Sequence, residues 1–293
     1  MYNKYRVSVL IPATSHLRLK YLLSSLSRQT QRPYEVIIVL KDANVNYVEE
    51  ICAKRALRCT IIEQTYGFFT HALNLCKREA SGEIAIFTDD DAIAPPSWIE
   101  RYIKLHKIYG NNIACISSRD LYLNLKSVTI MPTPDDAYHV KLFRWFVRPW
   151  LERPHPLLKK YRFGVYLTKS FNIAHGPYIP NKPCFSLPFR GVNMSFKKKA
   201  LDEVEFPEHP LLIRAPGNEQ YVGLQLIMRG YESIYDPSNP ILHIVHESLS
   251  RTTDEKIKTE YRVMKSLYWK LINSYAKGFS TLLSIGNVGE GVC

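Results

Sequence analysis

Three adjacent aspartates, Asp89–Asp90–Asp91, are the strongest chemical signal in the sequence. They follow directly on the run EIAIFT at 83–88, which predicts a buried strand. Carboxylates at a buried strand end repel one another, so the fold needs a compensating cation there. In an extended chain Asp89 and Asp91 point to the same side, and two hard oxygen ligands suit Mg²⁺ or Mn²⁺ together with phosphate oxygens. Taken alone, the tripeptide is more typical of a solvated acidic turn capping the helix that starts near Pro96.

The elements around these aspartates alternate between strands and helices. The pattern predicts apolar strands at 5–11, 34–40, 59–63, 83–88 and 113–117. It predicts helices between them at 17–28, 45–56, 69–79 and 98–109. Nearly continuous apolar strands of this kind are typical of a parallel sheet covered by helices on both faces. Ligands of such sheets bind outside the carboxyl ends of the strands, where this chain has polar groups at 12–15, 42–44, 63–67 and 89–91.

Positive charge is concentrated in one part of the chain. The 293 residues carry 39 Lys and Arg against 27 Asp and Glu, a net charge of +12 at pH 7. Residues 137–201 hold thirteen of these bases and one acid, Glu152, and nine of the 18 prolines lie between Pro132 and Pro188. The rest of the chain is charge-balanced, so we expect this segment to meet an anionic partner. The hydrophobic fraction of 46% excludes a disordered or fibrous protein.

The basic segment contains a short amphipathic pattern at 140–151. Lys141, Arg144 and Arg148 form one helical stripe, aromatic and aliphatic residues form the other sides, and Pro149 predicts that the helix ends near Arg148. One interpretation is a packed helix with a solvated basic face. Nucleic-acid binding is disfavoured because the chain has no nucleic-acid motif. The favoured hypothesis is docking on an anionic membrane, where a lipid-linked acceptor would be met.

The cysteines and the apolar runs bear on location. The six cysteines show no metal-ligand spacing and are expected to be scattered reduced thiols of a cytosolic protein. The apolar run near the first residue is too short for a signal peptide, and no run approaches the roughly 20 apolar residues of a spanning helix. We therefore expect a cytoplasmic protein, peripheral on the inner face of the cell membrane.

A series of ordered motifs resembles family 2 glycosyltransferases of the GT-A fold. The matching pieces are VSVLIPATS at 7–15, PYEVIIVLKDAN at 33–44, QTYGFFTHALNLCKREASGEIAIFTDDD at 64–91, RGVNMSFKKKAL at 190–201 and GNEQYVGLQLIMRGYESIYDPSNPILH at 217–243. They cover most of residues 5–250 in the family's order, and the stretch from about 121 to 186 has no firm counterpart. The resemblance implies an α/β GT-A (Rossmann-like) fold, a mostly parallel sheet with helices on both faces, plus an inserted basic, proline-rich acceptor or membrane segment and a C-terminal helix.

The resemblance also implies a division of the chain. Residues 1–250 form a single GT-A domain, with a nucleotide-sugar half at 1–118, the variable basic segment at 119–190 and an acceptor and catalytic half at 191–250. Residues 251–293 form an amphipathic helix, capped at Thr252 or Thr253, and a tail.

Site roles follow from the same resemblance. Asp89, Asp91 and His243 are implied as ligands of Mg²⁺ or Mn²⁺, with His246 as a weaker substitute for His243. Glu219 aligns with the second member of an acidic pair and is implied as the catalytic base. The implied nucleotide-sugar residues are Pro12, Thr14, Ser15, Asp42, Gln64, Gly67, Asn74, Asp89 and Asp90. The implied acceptor residues are Arg190, Asn193, Met194 and Asn218.

Two of these roles have ordinary structural alternatives. His243 could be a packed or surface histidine at a strand end. Glu219 could be an exposed acid favoured by the dipole at a helix N-terminus. Departures from the family pattern bear on the donor: Lys41–Asp42–Ala43 follows the second strand in place of the usual acidic turn, and the common Arg is missing at 71–74. The nucleotide could therefore be UDP, GDP or dTDP.

The expected function is metal-dependent, inverting transfer of a sugar from a nucleotide diphosphate to a hydroxyl of a glycan or polyprenol-linked acceptor. A nucleotidyltransferase is a weak rival because residues 11–16 contain no glycine for a phosphate loop. A non-catalytic binding module on a degenerate fold is a further rival, supported by Asn218 in place of the first acid of the pair.

Overall fold

A computed structural model of the protein describes residues 5–245 and 255–286, with side chains as far as residue 275. His246, Thr252 and Thr253 lie outside the described residues. The strands are β1 (Val7–Ala13), β2 (Glu35–Leu40), β3 (Cys59–Glu63), β4 (Ile84–Phe87), β5 (Ala92–Ile93), β6 (Ile113–Ser117), β7 (Asp120–Asn124), β8 (Thr129–Met131), β9 (Val165–Leu167), β10 (Ile173–His175), β11 (Cys184–Phe185), β12 (Met194–Lys197), β13 (Glu232–Tyr235) and β14 (Ile241–Ile244).

The main sheet has eight strands in the order β11-β13-β6-β12-β4-β1-β2-β3. Every neighbouring pair from β4 to β3 is parallel, and β12 enters between β4 and β6 in the antiparallel direction. The predicted early strands are all present, with ends shifted by no more than two residues. The first four strands therefore have their carboxyl ends at one edge, as expected for a ligand-binding α/β sheet.

Helices cover both faces of this sheet, as the sequence predicts. The α-helices of the described residues are α1 (His16–Leu26), α2 (Val45–Lys54), α3 (Phe69–Glu79), α4 (Trp98–Tyr109), α5 (Tyr138–Leu142), α6 (Arg148–Leu151), α7 (Lys198–Asp202), α8 (Asn218–Met228) and α9 (Glu255–Gly286). Along β1, Val9 and Ile11 pack with α1, α2 and α4, whereas Leu10 packs with α3, α7 and α8. This alternation buries both faces and explains why the strand is apolar at nearly every position.

A second, four-stranded sheet lies beside the acidic turn. Its order is β5-β14-β7-β8, and β14 is antiparallel to β5 and parallel to β7. Because β5 begins directly after Asp91, this sheet joins the acidic turn to His243 in β14 and to Asp120, the first residue of β7. His243 is thus held close to Asp91 and Asp120, although more than 100 sequence positions separate it from each of them.

Part of the variable segment packs with α8 and α9 in a separate hydrophobic core. Leu158, Tyr161 and Leu167 from the segment pack with Leu224 of α8 and Tyr268 of α9 in one buried cluster. The shared core means that α9 is packed against the domain and is not a detached tail. The division at residues 118, 190 and 250 stays a prediction.

The amphipathic pattern at 140–151 forms a longer helix than predicted. α5, a π-helical turn at Phe143–Val147 and α6 make one helical run, which we call helix 138–151. The prediction that Pro149 ends the helix near Arg148 is wrong, since the helix continues to Leu151. Pro149 lies in the first turn of α6, after the wider turn, where a missing N–H interrupts few helical hydrogen bonds.

The expectation that all cysteines are free is also wrong. Cys52 at the end of α2 and Cys59 at the start of β3 form a disulfide, with their Cα atoms 6.2 Å apart. This separation lies within the range that a disulfide spans, and the turn between the two elements creates it. Cys76, Cys115 and Cys184 are free. Among the described residues, no helix combines the length and apolarity needed to cross a bilayer.

Candidate active site

Asp89, Asp91 and His243 come together at the carboxyl end of β4. One potential ligand atom from each side chain lies within 4.8 Å of the others. The register places His243 opposite Ala92 in β5, and the backbone N–H of Ile244 donates to the carbonyl oxygen of Asp91 at 2.9 Å. Two carboxylates and an imidazole form a donor set that fits Mn²⁺ or Mg²⁺, so the geometry brings together the three predicted ligands.

The electrostatics of this cluster favour a cation between the carboxylates. Burial and the nearby charge of Asp91 raise the pKa of Asp89 to about 7. Burial lowers the pKa of His243, but its bonds to Asp120 and Asp91 outweigh burial and raise that pKa to about 10. Positive charge is therefore stabilised here, and either a protonated imidazole or a metal ion can supply it. A metal would require the neutral ring, so its binding would release a proton.

Asp120 orients His243 from the second sheet. The imidazole Nε2 lies 3.2 Å from Asp91 Oδ1, and Nδ1 lies 3.4 Å from Asp120 Oδ2. Burial raises the pKa of Asp120, but the hydrogen bond with His243 and the charge of Arg190 outweigh burial and hold it below its usual range. Such a carboxylate–histidine pair fixes the ring and leaves the other nitrogen for a ligand. Sequence reasoning missed Asp120, although its place just beyond the carboxyl end of β6 was a usable signal.

Arg190 connects Asp120 to helix 138–151. Its guanidinium donates to Asp120 Oδ2 at 2.8 Å and also to Asp135. Asp135 in turn pairs with Arg144 of helix 138–151. The charges of Asp120 and Asp135 outweigh burial and raise the pKa of Arg190. This chain of ion pairs runs from the candidate metal ligands to helix 138–151, and it occupies the Arg190 side chain that was predicted to bind the acceptor.

The middle aspartate points away from the cluster and holds the loop after β1. Asp90 Oδ2 accepts hydrogen bonds from the backbone N–H groups of Thr14 and Ser15, at 2.8 and 2.7 Å. Arg18 lies at 3.9 Å from the other oxygen. Thr14 is exposed and Ser15 half-buried at this edge, whereas Pro12 is buried inside β1. Pro12 and Asp90 therefore shape the loop, and Thr14 and Ser15 remain accessible to a donor.

The other predicted donor residues also divide into exposed residues and residues that shape a loop. Asp42 is exposed at the carboxyl end of β2, in left-handed backbone with a φ of 56°. Gln64 donates to the carbonyl oxygens of Tyr66 and Phe68, around Gly67, whose φ is 78°. A Cβ at Gly67 would lie 2.7 Å from the ring of His71, so this turn needs glycine.

Asn74 has a structural position in α3. Its amide donates to Phe206 O and to Glu208, and its carbonyl oxygen accepts from Phe206 N. These bonds tie α3 to the loop before α8. Asn74 is buried, so it supports the donor side of the cleft without an exposed atom of its own.

Glu219 opens α8 and faces a cavity of about 530 Å³. Burial raises its pKa, against the smaller effects of its own backbone N–H, Gln220 and Arg190. Its charge is close enough to contribute to the raised pKa of Asp89. Glu219 therefore lies within electrostatic range of the candidate metal ligands, and its raised pKa is suited to accepting a proton.

Three of the predicted acceptor residues are buried. Asn193 and Met194 have 0% exposure, so neither can contact an acceptor. Asn193 accepts hydrogen bonds from Trp98 and Tyr102 and donates to Arg119 O and Asn239 O, and Met194 lies in the core beneath the sheet. Asn218 is also buried, with its amide donating to Ala215 O. The Gly-x-Asn-Met motif is thus a packing motif in this chain.

Comparisons with solved structures identify the fold. The mannosyltransferase PcManGT from Pyrobaculum calidifontis, in complex with GDP-Man and Mn²⁺, aligns over 100% of this chain and 77% of its own, with a TM-score of 0.56 at 17% identity. GalNAc-T7 with UDP, GalNAc and Mn²⁺ aligns over 90% of this chain and 48% of its own, with a TM-score of 0.64 at 14% identity. S. aureus TarS 1-349 with UDP-GlcNAc aligns over 88% and 65%, with a TM-score of 0.55 at 14% identity. The fold is that of the GT-A glycosyltransferases.

The chain belongs to glycosyl transferase family 2, whose family model matches residues 8–166. The resemblance of the ordered motifs is thereby confirmed. A relative from Bacillus subtilis (strain 168), uncharacterized glycosyltransferase YfnE, is 32% identical over 115 residues. That match covers 38% of this chain and 29% of the relative, so it spans less than a third of the relative's length.

Proposed function

We propose that this glycosyltransferase moves a sugar from a nucleotide-diphosphate donor to a hydroxyl group of a glycan or lipid-linked acceptor, with inversion at the anomeric carbon. The observation that carries the proposal is the Asp89–Asp91–His243 cluster, with Glu219 near enough for its charge to contribute to the raised pKa of Asp89. A glycosyl transfer needs charge neutralised at the leaving diphosphate and a base at the attacking hydroxyl. The two sets of residues meet these two needs.

The donor side follows from the exposed groups at the carboxyl edge. Asp89, Asp91 and His243 would hold Mg²⁺ or Mn²⁺, which supplies charge neutralisation at the diphosphate. Thr14 and Ser15, in the loop held by Asp90, and exposed Asp42 would contact the nucleotide. The solved neighbours contain GDP-Man, UDP or UDP-GlcNAc, so UDP, GDP and dTDP all remain donor candidates.

The catalytic step assigned to this chain is proton removal. Glu219 accepts the proton of the acceptor hydroxyl as that oxygen attacks the anomeric carbon, while the bond from that carbon to the diphosphate breaks on the opposite face. The proton ends on the Glu219 carboxylate, and the leaving group departs as the nucleoside diphosphate. A single displacement of this kind inverts the configuration.

The expected place of action is the inner face of the cell membrane, and the surface of helix 138–151 supports it. Its side chains Tyr138, Phe146, Trp150 and Leu151 are 70–79% exposed. The predicted basic stripe faces the opposite way, because Arg144 is buried against Asp135 and Arg148 donates to His175 O. Exposed aromatic rings with Arg153 directly after them suit insertion into an anionic lipid interface.

The test of the core proposal is a screen of UDP-, GDP- and dTDP-sugars with the full chain, with Mg²⁺ or Mn²⁺ and without an acceptor. Slow release of free sugar and nucleoside diphosphate is expected from one donor class, and a chelator should abolish it. A chain that only binds membranes would hydrolyse none of the donors. Hydrolysis at the same rate in chelator would contradict the metal assignment.

A further inference from the structure

The cavity that contains Glu219 is assembled from four separate parts of the chain. Its volume is about 530 Å³. The walls come from the turn between β9 and β10, from the residues before β12, from the turn before α8 and from α9. The lining residues at issue are Phe171, Arg190, Glu219, Tyr261, Lys265 and Tyr268. The variable segment and α9 therefore build the surface that an acceptor meets at the candidate base.

α9 is firmly joined to the turn that carries Glu219. Tyr268 is buried, and its hydroxyl donates to Gly217 O at 2.6 Å. Glu260 is buried too, and its Oε2 accepts from the backbone N–H groups of Arg214 and Ala215, at 2.8 and 2.7 Å. Gly217 has a φ of 92°, and a Cβ there would lie 2.6 Å from the Tyr268 hydroxyl. These contacts fix the α9 wall relative to Glu219.

Tyr261 of α9 lies outside the shared buried core. Met264, Tyr268 and Ile272 on the same helix are buried in the shared core, whereas Tyr261 leaves 47% of its surface exposed and lines the cavity. Burial raises the pKa of the Tyr261 phenol, and the nearby charge of Glu219 adds a smaller effect in the same direction. The aromatic ring of Tyr261 is thus accessible in the cavity beside the candidate base.

Phe171 supplies a second aromatic ring from a different element. It lies in the turn between β9 and β10 with a φ of 59°, in the left-handed region that a bulky residue rarely adopts. The surrounding turn maintains this conformation through bonds such as Thr168 N to Asn172 O at 2.8 Å. The conformation costs free energy, and it places a ring that packs partly against the shared core in the lining of the cavity.

We propose that Tyr261 and Phe171 form an acceptor subsite that binds a sugar ring. The proposal rests on the proposed glycosyltransferase function. The apolar C–H face of a pyranose packs against the aromatic rings, and one hydroxyl of that sugar reaches the Glu219 carboxylate. Lys265 lines the same cavity on α9, is exposed, and donates hydrogen bonds to oxygen atoms of the acceptor.

This assignment replaces the acceptor residues expected from the sequence. Asn193 and Met194 are in the interior, and Arg190 is held by Asp120 and Asp135. The accessible side chains near Glu219 belong to the variable segment and to α9. The acceptor is therefore recognised mainly by residues outside the family match at 8–166. The turn at 165–175, which also contributes, begins at the last residues of that match.

The first experiment measures binding of methyl glycosides of the common hexoses, in both anomeric forms, by saturation-transfer NMR with the full chain. We expect binding by the wild-type protein, and loss of about tenfold in affinity in Tyr261→Ala and in Phe171→Ala. Tyr261→Phe keeps the ring and should keep the affinity. Trp269→Ala is the matched control, because Trp269 is 53% exposed on the same helix and does not line the cavity.

The second experiment separates this subsite from the donor reaction. Donor hydrolysis without acceptor should keep the wild-type rate in Tyr261→Ala, while the KM for the best methyl glycoside in transfer rises about tenfold. Lys265→Ala should raise that KM as well, and Lys270→Ala should not. No glycoside binding by the wild-type protein, or equal affinities in Tyr261→Ala and Trp269→Ala, would overturn the subsite. Absence of donor hydrolysis in the wild-type protein would instead overturn the proposed function.

Discussion

The two sides of the candidate site around Glu219 consist of different kinds of side chain. The metal side is a buried network of charges, in which Asp91, His243, Asp120 and Arg190 follow one another at 2.8–3.4 Å. The acceptor side is an aromatic cavity whose walls come from the variable segment and α9. Charges fixed by sheet register leave little freedom, whereas a wall of side chains can change without disturbing the sheet. We therefore propose that the first side serves the chemistry common to all acceptors and that the second selects the acceptor.

The largest expected effect comes from breaking the metal side directly. Asp91→Asn removes one anionic ligand from the cluster within 4.8 Å. We expect a loss of about a thousandfold in donor hydrolysis and in transfer to every acceptor, because charge neutralisation at the diphosphate weakens. Initial rates and an Mn²⁺ titration measure the effect, and thermal unfolding checks the fold.

Asp202→Asn is the control, since Asp202 is an exposed acid paired with Lys198 far along the chain from the cluster. Its rates should match the wild type. If Asp91→Asn slowed one acceptor and spared donor hydrolysis, the division of labour between the two sides would be wrong.

Glu219→Gln tests the residue where the two sides meet. The amide cannot take a proton, so kcat for transfer should fall by about a hundredfold or more, while the Mn²⁺ affinity stays within about twofold. Burial raises the pKa of Glu219, and a base works when it is deprotonated. Wild-type kcat should therefore be highest above that raised pKa and fall as the pH drops through it.

The pH profile is the readout that a purely structural role of Glu219 would not change. Glu219→Gln should lose the acidic limb of the profile, and Glu219→Asp should keep a limb at reduced rate. An unchanged limb in Glu219→Gln would assign the base to another group.

The same comparison explains what the sequence could and could not predict. Strand alternation predicted the sheet, and strand ends placed Asp89 and Asp91 at its functional edge. The partner Asp120 was missed because it begins the stretch without a firm family counterpart, and only the β14–β7 pairing brings it to His243. Periodicity found the two faces of helix 138–151 but could not tell which one is buried. The ion pair between Arg144 and Asp135 turns the basic face inward.

The acceptor side was harder to predict from the sequence than the metal side. The sequence predicted an amphipathic helix here but not the position of Tyr261. The helix meets the 214–217 turn through Tyr268 and Glu260 and leaves Tyr261 in the cavity. A single-helix pattern contains no information on where a neighbouring turn will lie. Motif resemblance likewise could not show that Asn193 points inward to Trp98 and Tyr102.

Asp120→Asn tests whether the metal side depends on its outer partner. The change keeps the shape but weakens the bond that orients His243 at 3.4 Å. We expect Mn²⁺ affinity to fall about 10- to 100-fold, measured by electron paramagnetic resonance of free Mn²⁺ without any donor. Asp136→Asn is the matched control, because Asp136 pairs with Arg119 instead. Equal Mn²⁺ affinities in the two variants would remove Asp120 from the metal side.

The smallest effect is expected at the rim of the acceptor side, where helix 138–151 would meet the membrane. Phe146→Ser with Trp150→Ser removes two rings that are 70% and 79% exposed. Binding to vesicles containing anionic lipid should fall about tenfold in a flotation assay, because the buried apolar area is lost. Donor hydrolysis in solution should not change, since neither ring lines the cleft.

The matched control for this prediction is Ile108→Ser with Val128→Ser, two residues that are 75% and 80% exposed away from the helix. If the control lost as much vesicle binding, exposed apolar area anywhere would suffice and helix 138–151 would have no special role. High salt should weaken wild-type binding only in part, because Arg144 and Arg148 face the protein and fewer charges remain for the lipid. Complete loss in salt would instead mean that charge, and not the aromatic face, holds the acceptor side to the membrane.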